Sequence, residues 1–300
     1  MLQNLPGFII AGVHKAGTTS LFYWLSNHPE VCCSEEKETN FFIYTKYGYP
    51  ARPLSDYYIQ WNKCKGEKLL MEASPGYFYG GKATAIEIKE KCNNPKILIV
   101  LRDPADRLIS FFNRKKEMLF LPGNMSLSDY LKKCDRFSDA DLVKEENHLY
   151  TGVVFGEYIK HINDWFEVFG DNLRIVFFDD LKQPKKFMQD LCEWIGVEKS
   201  FYETYNFNIE NKSGGFKNKI LHSIAVKASF GLQKFWRYNR GLKKSLKNIY
   251  YKMNRSAVKV NQQDSEVIAQ LRNRYKPFNA ELGKYLESKG YRNLPKWITG

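Results

Sequence analysis

The sequence predicts an α/β fold in which a parallel β-sheet carries helices on both faces. Three observations predict it. Short, continuous apolar runs bounded by Gly or Pro recur through the first 180 residues, as buried parallel strands do. Segments with apolar residues at helical spacing lie between them, and this alternation is the signature of strands joined by helical crossovers. The first apolar run passes directly into a glycine-containing turn and then a helix, a P-loop-like arrangement.

Taken in order, residues 7–12 (GFIIAG) form the first strand, and residues 18–27 a helix with Leu21, Phe22 and Leu25 on one side. Residues 68–72 (KLLME) are a second strand, ended by Ser74-Pro75-Gly76. A helical pattern over 82–91 stops before Pro95, and residues 96–101 (KILIVL) are the clearest strand in the chain. Pro104 suits the first turn of the next helix. Residues 156–169 read as a helix with Ile159, Ile162, Trp165, Phe166 and Phe169 as its apolar stripe. Residues 173–178 are strand-like and 184–195 helical. Beyond Phe216 the strand signals stop, 217–260 reads as basic, aromatic-rich helices, and 264–289 as a helix interrupted near Pro277. The reading is one domain over residues 1–300 with a helical basic insertion at 217–260.

Composition narrows the class. With 43% hydrophobic and 15% aromatic residues, the chain has enough apolar surface for a core and is no disordered polypeptide. Mean hydropathy is −0.49, and no run of about 18 uncharged apolar residues marks a membrane-spanning helix. The N-terminus has no basic stretch ahead of an apolar one, so no secretory signal is expected. Cys32, Cys33, Cys64, Cys92, Cys134 and Cys192 show no CxxC spacing, and reduced, buried thiols in a cytoplasmic protein are the expectation. The net charge is +13, and its excess is local. Residues 211–260 hold thirteen Lys or Arg and no Asp or Glu, leaving the rest of the chain balanced. That segment is built to meet something anionic.

The chemistry begins at Gly12-Val13-His14-Lys15-Ala16-Gly17-Thr18-Thr19-Ser20. A strand, a tight loop and a helix N-terminus together present unpaired N–H groups and a positive dipole end to an anion. Gly12 and Gly17 have the separation of the G-x-x-x-x-G-K-[ST] motif, but Thr18 stands where that motif has lysine, and the lysine lies inside the loop at position 15. The strand 96–101 ends on Arg102 rather than an acid, which suits a second anion better than magnesium. Arg102 and Ser110, at the sheet's C-terminal edge, make a guanidinium–hydroxyl phosphate clamp. A structural ion pair from Arg102 to Asp103 or Asp106 is the alternative.

Together these segments resemble the sulfotransferases that use 3′-phosphoadenosine-5′-phosphosulfate (PAPS), in particular the branch that modifies glycans such as heparan sulfate. Lys15, Ala16, Gly17, Thr18, Thr19 and Ser20 are similar to that family's 5′-phosphosulfate loop, and Arg102 and Ser110 to its 3′-phosphate clamp. Glu38-Thr39-Asn40-Phe41-Phe42 is similar to the stretch carrying the catalytic base. The run from Glu72 to Phe78 resembles the acceptor-side segment, which implies acceptor contacts from Glu72, Ser74 and Tyr77. Asn211 to Phe216 aligns loosely with the late loop that closes on the nucleotide, implying contacts from Lys212, Ser213, Gly214 and Gly215. The resemblance spans about residues 6–215 and returns over 271–286. Ala73 departs from it where some glycan enzymes carry a charged group, the late disulfide-bearing loop is absent, and 217–260 matches nothing.

The resemblance implies in-line transfer of a sulfuryl group to a hydroxyl or amine of a carbohydrate. Glu38 would be the general base, and Lys15 would stabilise the leaving oxygen, with no metal required and 3′-phosphoadenosine-5′-phosphate (PAP) as product. His14 is a candidate second cation or acid, and the other histidines show no metal spacing. The implied partner is a glycan or glycolipid, in keeping with an anionic acceptor or a peripheral membrane contact through 217–260. No nucleic-acid motif accompanies the charge. A cytoplasmic, bacterial-type enzyme acting on an exported glycan is the expectation, with membrane association through the basic segment as an extension. The rivals are a P-loop kinase, which would need Lys after Gly17 and an acidic strand end, and a membrane- or polyanion-binding module, which leaves Lys15, Glu38, Arg102 and Ser110 unexplained.

Overall fold

The computed structural model describes residues 5–207, 215–232 and 262–300, together with 235, 239, 245–246, 249–250 and 253–256. Five strands, β1 (Phe8–Gly12), β2 (Val31–Cys33), β3 (Leu69–Ala73), β4 (Lys96–Leu101) and β5 (Leu173–Phe177), form one sheet in the order β2-β3-β1-β4-β5. Every pairing is parallel, with Phe8 opposite Met71 on one side and Lys96 on the other. β1 is central and all five of its residues are buried, which is why its sequence is uninterrupted apolar. The chain leaves β1 toward β2 on one side and leaves β4 toward β5 on the other. Their C-terminal ends therefore bound the crevice where the topology reverses, the place where open α/β sheets bind ligands.

Helices cover the sheet. Helix Thr18–Ser26 follows β1, Gly81–Lys91 packs with Ile159–Phe169, and Pro184–Ile195 follows β5. Trp165 inserts between them, its indole N–H donating to the Phe78 carbonyl at 3.1 Å. A second apolar cluster joins helix Pro104–Glu117 to Leu127–Cys134 and the long helix Gln262–Ser288 through Leu108, Phe112, Tyr130, Leu271 and Tyr275.

The structure departs from the sequence reading in four places. Pro277 does not interrupt its helix, which runs unbroken over Gln262–Ser288; Leu271 and Tyr275 before it and Leu282 and Leu286 after it are all buried, so packing on both sides outweighs the lost hydrogen bond. Strand β2 was not evident, because three residues are too few to show a period. Beyond Phe216, Gly215–Phe216 pairs antiparallel with Arg255–Ser256. The cysteines are not all reduced: Cys32 and Cys64 form a disulfide across 32 positions of sequence, whereas Cys33, Cys92, Cys134 and Cys192 are free and buried. Pairing follows from where β2 lies, not from spacing, and the cytoplasmic expectation loses the support it drew from reduced thiols. Among the described residues no helix is long and apolar enough to cross a membrane.

Candidate active site

The loop after β1 is shaped by its glycines. The Gly12 and Gly17 positions leave no room for a side chain: a Cβ on Gly12 would lie 2.8 Å from the Phe78 Cβ, and one on Gly17 2.6 Å from Leu181 Cδ1. Gly17 also has φ +84°, a conformation glycine adopts without penalty. It caps helix Thr18–Ser26 with no side-chain hydrogen bond, as a glycine cap must. Lys15, itself at φ +72°, is half-buried over this cradle. Burial lowers its pKa to about 8, with Arg114 adding to the effect and Glu117 opposing it. Among the described residues no carboxylate lies within salt-bridge distance of Lys15 or Arg102.

Arg102 leaves the end of β4 and turns toward that loop. Its Nη1 donates to the Lys15 carbonyl at 2.9 Å, and its guanidinium lies 4.5 Å from the centre of the Phe178 ring. The aspartates that were its alternative partners are engaged elsewhere. Asp103 caps helix Pro104–Glu117 by accepting from the Ala105 and Asp106 N–H groups, and Asp106 pairs with Arg272 at 3.0 Å. Arg107, on helix Pro104–Glu117, points into the core and donates to the Gly152 carbonyl. Ser110 stands one helical turn before Arg114, and both face the same cavity as Arg102.

Glu38 reaches this cavity from a third segment, at φ +64°. Its N–H donates to the Ala73 carbonyl at 3.0 Å, and Lys37 Nζ donates to its Oε1 at 2.6 Å. Burial raises the Glu38 carboxyl, but Lys37, His14 and Lys15 outweigh it and hold the group below its ordinary value. The segment after Glu38 rests on a buried hydroxyl network. Glu72 accepts from Tyr57 OH at 2.6 Å, Thr39 Oγ1 at 2.5 Å and Ser74 Oγ at 3.0 Å. Ser74 Oγ accepts from the Asn40 N–H, and Tyr77 OH from the Phe42 N–H. Glu72, Ser74 and Tyr77 are all fully buried and do not line the cavity. The structure does not bring them to the cavity as the expected acceptor contacts: Glu72 is buried in β3, Ser74 and Tyr77 lie beyond its end, and their hydrogen bonds hold the residues that follow Glu38.

One cavity of about 840 Å³ brings together Lys15, Gly17, Thr18, Thr19, Ser20, Glu38, Arg102 and Ser110. Ala16 is buried behind the loop. Lys212, Ser213 and Gly214 lie outside the described residues, and Gly215 lies in the short antiparallel pair. His14 lines the cavity as well, near-parallel to Tyr79, and burial lowers its pKa to about 4, so it is neutral at pH 7 rather than a cation. The sequence reading missed the wall away from the loop. There Tyr79 and Phe155 stack at 3.7 Å, and Lys46 lies 4.4 Å from the Phe155 ring centre, with burial lowering its pKa to about 8. Arg114 was findable by its four-residue spacing from Ser110, whereas Lys46 carried no signal.

Comparison with known proteins places this geometry. The family model for the sulfotransferase domain matches residues 5–223, and the chain belongs to that family. It is 31% identical over 112 residues to the membrane-associated sulfotransferase kil1 of Dictyostelium discoideum, covering 37% of this chain and 23% of that protein. It is 26% identical to human heparan sulfate glucosamine 3-O-sulfotransferase 5, covering 63% of this chain and 54% of that protein. The chain thus spans about a quarter and about half of the length of these two relatives. A sulfotransferase from Alicyclobacillus acidocaldarius shares the fold, with a TM-score of 0.59 and 24% identity, covering 69% of this chain and 85% of that one.

Proposed function

We propose that the chain transfers the sulfuryl group of PAPS to a hydroxyl or amine of a carbohydrate acceptor. The observation that carries this reading is the convergence of Lys15, Glu38, Arg102 and Ser110, from three separate segments, on one cavity. The residues suit a doubly anionic nucleotide: a glycine loop packed closely against Phe78 and Leu181, a helix N-terminus without a side-chain cap and, among the described residues, two cations with no carboxylate in salt-bridge distance. Lys15 and the first-turn N–H groups of helix Thr18–Ser26 would hold the 5′ end, and Arg102 and Ser110 the 3′-phosphate. Bound there, the donor supplies an activated sulfuryl group.

The remaining chemistry belongs to the chain. Lys15 places positive charge where the leaving oxygen becomes anionic. Glu38, ionised at neutral pH, accepts the acceptor proton as that hydroxyl turns acidic during attack. The Glu72 network fixes Glu38 for this, and the neutral His14 offers a ring nitrogen beside it without adding charge. The stacked Tyr79 and Phe155 rings with Lys46 give the acceptor side an apolar shelf and a cation, suited to a sugar carrying a negative group. The relation to heparan sulfate enzymes supports a glycan acceptor. Lys15, Arg102 and backbone N–H groups meet the donor's charge, so binding is expected to be metal-independent.

Calorimetry with PAP, in magnesium and in EDTA, tests the donor site. Equal affinity in both is expected, with Arg102→Ala weakening binding by roughly 30- to 150-fold, the loss of charge-assisted hydrogen bonds worth about 2–3 kcal/mol. Binding that requires magnesium, or that ignores Arg102, overturns the assignment. A glycan panel with radiolabelled donor then identifies the acceptor.

A further inference from the structure

The basic segment carries a second feature that its composition alone does not reveal. Helix Lys219–Gly231 is fixed to the domain by His222, which is buried and bonds through Nε2 to the Glu117 carbonyl at 2.7 Å and through Nδ1 to Tyr250 OH at 2.8 Å. Asn254 ties the segment's end to its start, bonding to both the N–H and the carbonyl of Asn218. With one face so anchored, the helix turns Leu221 and Ile224 outward, 44% and 60% exposed, and Leu232 follows at 47%. Leu246, Ile249 and Met253 are 48%, 56% and 69% exposed. Leu221 and Ile224, three residues apart, share one face of helix Lys219–Gly231. Half of the large exposed hydrophobic residues of the described chain fall between 221 and 253, which makes this a concentrated patch rather than scatter.

We propose that the exposed apolar residues Leu221, Ile224, Leu232, Leu246, Ile249 and Met253 belong to a peripheral membrane-binding surface for anionic lipid, set into the boundary between headgroups and acyl chains. Charge selects the occupant. Lys227 is exposed on the same helix and Lys217 just before it, and the surrounding fifty residues hold thirteen cations and no acid. A nucleic acid would use the cations but gain nothing from exposed Leu, Ile and Met, and self-association would bring together two copies of a segment that carries cations and no acid. Anionic lipid satisfies both the cations and the exposed apolar residues. The surface adjoins the active-site cavity: Glu117, whose carbonyl holds His222, lines that cavity. Docked this way, the cavity mouth would stand close to the lipid headgroups.

Co-sedimentation of the full chain with vesicles of phosphatidylcholine alone, or of phosphatidylcholine with 30% phosphatidylglycerol, tests this. Partition onto the anionic vesicles and not the neutral ones is expected. It should fall at least roughly tenfold in Leu221→Asp/Ile224→Asp and in Ile249→Asp/Met253→Asp, with circular dichroism and PAP affinity unchanged as proof that both variants fold. Absence of binding to anionic vesicles overturns the proposal. So does binding that both Asp pairs leave intact, which would be adsorption by charge alone. So does a lipid-free dimer, seen by light scattering, that the Asp substitutions dissolve. None of these readouts depends on sulfuryl transfer.

Discussion

Binding of PAP should weaken steeply as pH rises past 8, and Lys15 should be the cause. Burial in the loop lowers its pKa to about 8 in the free protein, and a bound phosphate beside it restores the charged form. The sign follows from which state holds the proton. Below about 8, Lys15 is already protonated and affinity is flat; above it, binding must first recover a proton, so affinity falls about tenfold per pH unit until the bound-state pKa is reached. Between pH 7.5 and 9.5 the loss comes to roughly 25-fold if only the charged form binds. The ligand does not blur this window, because phosphate completes its second ionisation near pH 6. His14, lowered to about 4, lies outside it. Lys46 does not, since it too is lowered to about 8 in the same cavity. Calorimetry is therefore run on wild type, Lys15→Arg and Lys46→Met. Arginine stays charged throughout, so Lys15→Arg should bind with little pH dependence while Lys46→Met follows the wild-type curve. A flat wild-type curve, or dependence abolished by Lys46→Met and kept in Lys15→Arg, would refute the placement of Lys15 on the donor.

Three further outcomes are expected. Glu38→Gln should bind PAP within about twofold of wild type yet lose transfer by at least roughly 100-fold, measured in single turnover with radiolabelled donor; retained turnover removes Glu38 as the base. Glu72→Ala leaves the Tyr57, Thr39 and Ser74 hydroxyls without their shared acceptor and should cost about 3 kcal/mol or more in denaturant unfolding, whereas Glu72→Gln keeps part of the network. In that Gln variant kcat should fall with KM for the donor unchanged, and a raised acceptor KM alone would return Glu72 to the acceptor side. Reducing the Cys32–Cys64 bridge, which closes the loop carrying Glu38, should lower stability by roughly 3–4 kcal/mol on a chain-entropy account. Transfer should suffer more than PAP binding, since Lys15 and Arg102 lie outside that loop.

Lys15 and Arg102 were legible before any coordinates because local backbone chemistry announces them: one strand runs into glycines and a helix, the other ends on Arg102 ahead of a helix-starting proline. Such signals fix a position in the chain and, through the parallel sheet, a position at its rim. Glu38 is different. It sits in a run of charges, and only resemblance singled it out; what makes it special is that Ala73 fixes its backbone while Ser74 and Tyr77 hold the residues that follow. The same long-range wiring bears on Glu72, to which resemblance alone gave an acceptor contact, whereas in the fold it is fully buried among the Tyr57, Thr39 and Ser74 hydroxyls. Lys46 and the Tyr79–Phe155 stack were illegible for a related reason, since their segments meet only through tertiary packing. The disulfide failed on the same account, because two cysteines 32 positions apart have no reason to meet until β2 takes its place at the sheet edge. What the chain writes locally is the glycine loop and the arginine at the sheet's rim; what it writes only through folding is the placement of Glu38 and the wall of Lys46, Tyr79 and Phe155. The first could thus be read from spacing, while the second had to be seen in three dimensions.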